Sequence, residues 1–206
     1  MKRDGTSRYI IGVDEAGRGP IAGPVVAAAV RLTSVQFRAL LSEGLDDSKK
    51  MTEKARERMF ARIQALGVVW VAQAASHRRI DATNILRATM WAMAKCLKSI
   101  GAEEDLVVVD GNMTVPGTAC PAQVAIPKAD AKVPAVMAAS VIAKVLRDRA
   151  MRKLDRLYPE YGFISHKGYP TKAHRAALDL VGPSPVHRLS FGGYSKTKQD
   201  GEALWR

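Results

Sequence analysis

Apolar positions in this chain fall into short blocks, and their spacing alternates between two periods. Residues 9–13 (Tyr-Ile-Ile-Gly-Val) and 25–32 (Val-Val-Ala-Ala-Ala-Val-Arg-Leu) are near-continuous β-forming runs joined by a glycine-rich segment, and they predict two strands. Residues 68–72 predict a third strand, 106–109 (Leu-Val-Val-Val) a fourth and 123–126 a short fifth. Elsewhere the spacing is helical. Leu86, Met90, Met93, Leu97 and Ile100 recur at steps of four and three, which is one face of a helix over about 82–100 closed by Gly101. Met90, Met93 and Trp91 are therefore expected in the core. Thr52 is placed to cap a helix over 53–66, which Gly67 ends. A long helix over 134–154 is apolar early and basic late, and another near 171–180 stops at Gly182 and Pro183. Residues 46–50 read as a loop, residues 1–8 as a polar, frayed start, and the Gly-, Ser- and Pro-rich remainder as a tail over the body or partly disordered. Strands first, then helix and strand in alternation, predict an α/β fold with helices packed on a mixed sheet.

Composition refines this picture. The 206 residues suit one domain with at most a small appendage, and a hydrophobic fraction of 47% supports a core without staples. Aromatics are only 6%, so packing through Ala and Val is expected. Cys96 and Cys120 form no CxxC pair, so neither a zinc site nor a disulfide framework follows, and a reducing compartment fits. Asp14 and Glu15 interrupt the first apolar run, which excludes a signal-peptide core, and no run reaches the roughly 18 apolar residues of a membrane span. A cytoplasmic protein without membrane contact is the expectation, and nothing in the sequence calls for more than a monomer. The net charge is +12. It is uneven: residues 1–127 carry 17 basic and 13 acidic residues, residues 128–206 carry 15 and 7. A basic C-terminal part suits a surface that tracks phosphates.

Against that charge stand four carboxylates at strand or loop ends: Asp14 and Glu15 after the first run, Asp110 after the fourth, and Asp130 in Lys128-Ala129-Asp130. Each alone reads as a turn residue. Together, in a basic protein, they read as hard oxygen ligands for divalent cations, Mg²⁺ or Mn²⁺, of which a pair can clamp a phosphodiester displacement. Gly17-Arg18-Gly19 follows at once and offers bare backbone to a sugar-phosphate. Lys49, Lys50, Lys128, Lys144 and Lys167 are candidates for backbone phosphates, with a solvated surface role equally open for each. Asp148 sits between Arg147 and Arg149 on a helix and is expected to form salt bridges to them or to a nearby turn. His77, His166, His174 and His187 have no mutual metal-ligand spacing, and no Lys-Ser/Thr pair follows the glycines to make a P-loop. Another two-metal nuclease or strand-transfer enzyme, and a non-catalytic nucleic-acid-binding module, remain alternatives on these residues alone.

The run from Asp14 through Gly17-Arg18-Gly19 to Pro24 resembles the signature of the type 2 ribonucleases H, in particular the bacterial ribonuclease HII family. The resemblance continues in order through Asp47-Ser48-Lys49-Lys50, Val109-Asp110-Gly111-Asn112, Lys128-Ala129-Asp130, the stretch 138–149, Tyr161-Gly162-Phe163, 166–171 and 187–191. It implies a ribonuclease H-like mixed five-stranded sheet flanked by helices, with a small helical C-terminal part. Residues 1–206 are then one domain, with a core over about 9–155. It implies hydrolysis of the RNA strand of RNA/DNA hybrids and nicking 5′ of ribonucleotides embedded in duplex DNA, in DNA repair and replication. Asp14, Glu15, Asp110 and Asp130 fall on the family's catalytic, metal-holding carboxylates. Gly17, Arg18 and Gly19 fall on the backbone that reads the ribose 2′-hydroxyl, assisted by Tyr169. Some relatives end in a sliding-clamp motif, and residues 201–206 present none that is recognisable.

Overall fold

The computed structural model describes residues 9–101 and 105–191. The chain opens with β1 (Ile10–Ala16) and β2 (Val25–Arg31), then α1 (Ser34–Ser42) and α2 (Glu53–Ala65). Next come β3 (Val69–Ala75), α3 (His77–Ala82), α4 (Ile85–Ile100), β4 (Leu106–Asp110) and β5 (Gln123–Ile126). A 3₁₀ turn, Ala129–Ala131, leads into the long α5 (Pro134–Leu157), followed by a second turn at Pro159–Tyr161, α6 (Phe163–His166) and α7 (Lys172–Val181). The sheet order is β3-β2-β1-β4-β5, antiparallel across β3, β2 and β1 and parallel across β1, β4 and β5. This is the mixed five-stranded sheet flanked by helices that the resemblance implies.

The central strands are buried on both faces, which is why they read as unbroken apolar runs. Ile11, Val13, Ala27, Ala29, Val107 and Val109 pack with Ala88, Ala92, Met93, Cys96 and Leu97 of α4. Ala28 and Val30 face the other way, onto α2 and α5 through Phe60, Ile63, Ala138, Ala139 and Ile142. The small side chains let α5 come very close: a Cβ on Gly12 would collide with the backbone of Ala135 and Val136. Tight packing through small residues thus holds, and α5 is pinned across β1.

Three elements differ from expectation. The residues of α1 carry no helix in the sequence reading, because the exposed Val35 and Leu41 blur its apolar face. Its capping box between Thr33 and Gln36 was the available signal. The helix expected over about 82–100 is α4, Ile85–Ile100, which starts later because the Asn84 side chain accepts from the Arg87 amide as its cap, and the short α3 just before it carries no helix in the sequence reading. And β1 does not stop at Val13 but runs on through Asp14 and Glu15, whose register partners on β2 are Ala28 and Ala27. Residues 183–191 do lie over the body. His187 bridges antiparallel to Ala22, and the Arg188 amide donates to Ile21 O at 2.8 Å. Residues 1–8 and 201–206, with their frayed start and clamp-motif readings, lie outside the described residues.

Candidate active site

Parallel pairing of β1 with β4 sets Val13 opposite Val109, so the next residues, Asp14 inside β1 and Asp110 at the end of β4, stand side by side on neighbouring strands. Asp110 Oδ1 accepts from the amide of Ala129 at 2.7 Å and so fixes the 3₁₀ turn that carries Asp130. Lys128 enters that turn in a left-handed conformation (φ 58°), an unusual backbone for a non-glycine residue. One carboxylate oxygen from each of Asp14, Asp110 and Asp130 lies within 4.8 Å of the others. Asp14 and Asp130 are buried and Asp110 is partly so. Glu15 lies outside this trio but lines the same cleft.

Burial pushes the Asp14 carboxyl well above its ordinary range, and the charges of Glu15 and Asp110 add to the rise. The Ser140 hydroxyl and the Glu15 amide act in the opposite direction, the amide donating to Asp14 Oδ1 at 2.7 Å. Ser140 also shares a buried 2.7 Å hydrogen bond with Ser48. Burial likewise raises Glu15, opposed by Arg18, whose guanidinium is 3.4 Å from Glu15 Oε1. Lys49 donates to Asp130 at 2.6 Å. Repelling carboxylates with oxygen donors this close fit a divalent cation of the Mg²⁺ or Mn²⁺ type, and the Lys49 ammonium already holds positive charge against one of them.

The cleft of about 260 Å³ beside these acids is lined in addition by Gly17, Arg18, Gly19 and Tyr169. Tyr169 is 45% exposed, and a Cβ on Gly19 would sit 3.5 Å from its ring. Of the lysines, Lys49 and Lys144 line the cleft. The others do not: Lys50 pairs with Asp46 at 3.7 Å, Lys128 is exposed on its turn, and Lys167 reaches Ile164 O at 2.6 Å and Glu53 at 3.4 Å. Asp148 is a salt-bridging residue, but not with its chain neighbours. It accepts from Lys144 at 2.7 Å and Arg56 at 3.4 Å, while Arg149 turns to Glu57. Burial lowers the Lys144 ammonium and Asp148 restrains that fall.

Ser48, Ser140 and Arg147 also line the cleft, and the sequence reading gave none of them a role in the site. Ser140, Lys144 and Asp148 recur every fourth residue on α5, a polar stripe that an i, i+4 count would have found. The histidines without metal spacing do meet. Ser184 donates to His187 Nδ1, and His187 and His174 join through Nε2 at 3.0 Å. His174 Nδ1 lies 2.9 Å from the carbonyl of Tyr169 and must donate to it. The network assigns both rings as neutral, and burial holds each near a pKa of about 4.

The ribonuclease HII family model matches residues 11–193. Among curated relatives, the ribonuclease HII of Granulibacter bethesdensis is 49% identical over 184 residues, covering 89% of this chain and 83% of its own. That of a Marinomonas species is 46% identical over 187 residues, covering 91% and 92%. Among solved structures, ribonuclease H2 of Pyrococcus horikoshii superposes with a TM-score of 0.74 at 27% identity over 89% of this chain and 93% of its own. The ribonuclease HII of Archaeoglobus fulgidus, solved in complex with PCNA, gives 0.73 at 28% over 87% and 92%. A match over nearly the whole chain, together with the acids gathered at this sheet, makes the chain a member of the ribonuclease HII family and a hydrolytic nuclease of the ribonuclease H class.

Proposed function

We propose that this chain hydrolyses the RNA strand of RNA/DNA hybrids and nicks duplex DNA on the 5′ side of single embedded ribonucleotides, leaving 3′-hydroxyl and 5′-phosphate ends. The observation that carries the reading is the trio Asp14, Asp110 and Asp130, gathered within 4.8 Å beside a cleft whose other lining includes Gly17–Gly19 and Tyr169. Asp14, Glu15, Asp110 and Asp130 would hold two divalent cations, Mg²⁺ or Mn²⁺, which when bound activate the attacking water and stabilise the departing 3′-oxygen.

The chain's own groups divide the remaining work. The backbone of Gly17, Arg18 and Gly19 reads the 2′-hydroxyl, the group that separates RNA from DNA at one position. The Tyr169 ring, exposed and beside Gly19, stacks on the following sugar and disfavours a second 2′-hydroxyl there. Lys49 and Lys144 take the flanking phosphates, and with Arg18 and Arg147 they supply the positive lining of the cleft opposite its acids. Lys50, Lys128 and Lys167 serve as outer phosphate contacts, supported by the +12 charge. Among the described residues no helix is long and apolar enough to cross a membrane, which suits a cytoplasmic enzyme acting as a monomer on nucleic acid. Contact with a sliding clamp is not part of the reading.

The test is cleavage of a DNA duplex carrying one ribonucleotide, beside the same duplex without it, with Mg²⁺, with Mn²⁺ and with chelator. A cation-dependent nick 5′ of the ribonucleotide is the expected result. Equal cutting of both duplexes, or binding without any cutting, would sink the reading.

A further inference from the structure

Two guanidinium groups are buried beside the cleft: Arg188 is 0% and Arg147 1% exposed. Among the described residues neither forms a salt bridge. Their hydrogen bonds go to main-chain carbonyls. Arg188 donates to Gly23 O at 2.9 Å, Arg18 O at 3.0 Å and Gly17 O at 2.7 Å. Arg147 donates to Pro24 O at 3.1 Å, Ala22 O at 3.5 Å and Lys167 O at 2.9 Å. Two like charges, buried together, are costly to keep. What they achieve is to hold five carbonyls between residues 17 and 24 from the inside.

That grip has a directional consequence. Across a trans peptide the C=O of one residue and the N–H of the next point opposite ways. Fixing the carbonyls of Gly17 and Arg18 therefore aims the amides of Arg18 and Gly19 away from the buried guanidinium. The same pair reaches the second cleft loop. Arg147 binds the carbonyl of Lys167, and Ile21 N donates to Gly168 O at 2.9 Å, one residue before Tyr169. Gly17 packs directly on the Arg147 side chain, where any Cβ would collide with it.

We infer that Arg188 and Arg147 are positioning residues that set the spacing between the Gly17–Gly19 backbone and Tyr169, and through it the preference for a ribonucleotide–DNA junction over uniform hybrid. The inference rests on the proposed reading of those two loops. A lysine cannot substitute, because an ammonium is a point charge and the planar fork is what spans several carbonyls. Arg188 sits on the 183–191 segment, which Asp81 anchors by accepting from the amides of Leu189 at 3.0 Å and Ser190 at 2.9 Å.

The experiment compares kcat/KM on a one-ribonucleotide duplex with kcat/KM on uniform hybrid for wild type, R188K, Y169A and I63V, each at matched folded fraction. Ile63 belongs to α2 and packs in the core with β2 and α5, in a different cluster from Ile21 and Ala22, and I63V controls for simple loss of stability. The junction preference should fall about 10- to 100-fold in R188K and keep its wild-type value in I63V. A wild-type ratio in R188K, with Y169A lowered, overturns the positioning role alone. A wild-type ratio in Y169A as well overturns the reading of the loops beneath it. Should R188K not fold, D81N replaces it, with a smaller fall in the same direction expected and an unchanged ratio overturning the inference.

Discussion

Two regions of this molecule bury like charges side by side, and they do so to opposite ends. Asp14, Asp110 and Asp130 are each given little internal hydrogen bonding. Among the described residues, Asp14 accepts from the Glu15 amide and the Ser140 hydroxyl, Asp110 from the Ala129 amide and Asp130 from Lys49, although a carboxylate has about four acceptor positions. Arg147 and Arg188 are the reverse: six hydrogen bonds to carbonyls occupy their forks. The acids are incomplete in themselves and shaped for a cation. The arginines direct six of their ten N–H donors at carbonyls and are shaped to hold a loop. The difference teaches that a buried charge is read by what saturates it, not by its burial.

The largest effect that sharpens this contrast is expected from Asp110→Asn. The amide side chain keeps an acceptor for the Ala129 amide but removes a charge that raises Asp14. Nicking should fall more than about 100-fold, a loss at or beyond the level seen when outer-shell partners of metal ligands are removed. The midpoint of thermal unfolding in chelator should rise, since a repulsion has gone. A fall in both activity and stability would mean that the acids, like the arginines, are held chiefly for the fold.

Acid should loosen the arginine side through its histidines. His174 and His187 hold the 183–191 segment to α7 and to the carbonyl of Tyr169. They face each other, His166, the Tyr161 and Phe163 rings, Ser184, and more distantly His77 and Arg175. Protonating either ring would set two N–H donors against each other. Burial depresses both to about 4 from an ordinary 6.5, so the unfolded chain takes up protons first as pH falls. Their contribution is full above pH 6.5 and is lost between 6.5 and about 4. Between pH 7 and 5 the first ring alone should cost about 2 kcal/mol, read as a shift in the urea midpoint. A midpoint that stays level over that range breaks the account, and His187→Gln should flatten part of the slope.

The acids were legible in the sequence and the arginines were not, for a physical reason. Asp14, Glu15 and Asp110 follow runs of β-formers, and a charge at such a position is a local anomaly. Asp130 stood out only as a loop-end acid in a basic chain, because a 3₁₀ turn of three residues leaves no periodicity to place it. Arg188 contacts carbonyls 165 to 171 residues away, and its segment reads as a polar tail. The histidine pair depends on the same long-range docking. The parallel register of β1 and β4, which places Asp14 beside Asp110, is equally invisible to local pattern. Where the sequence reading failed on a helix, at α1, the apolar face was half exposed and only the cap spoke.

The smallest expected effect separates the two glycines between the regions. Gly17 is held at φ +101°, and a Cβ there would strike the Arg147 side chain. Gly17→Ala should therefore destabilise the chain by about 1–2 kcal/mol in urea unfolding, through backbone strain and displaced packing. Gly19 is different. Its added Cβ would meet only the Tyr169 ring, at an ordinary 3.5 Å. Gly19→Ala should stay within about 0.5 kcal/mol of wild-type stability. If Gly19 is glycine to let a sugar approach, that folded variant should nonetheless lose nicking of the one-ribonucleotide duplex. Wild-type nicking by Gly19→Ala would assign the glycine-arginine-glycine run to the arginine brace alone, and leave the reading of the 2′-hydroxyl to other groups in the cleft.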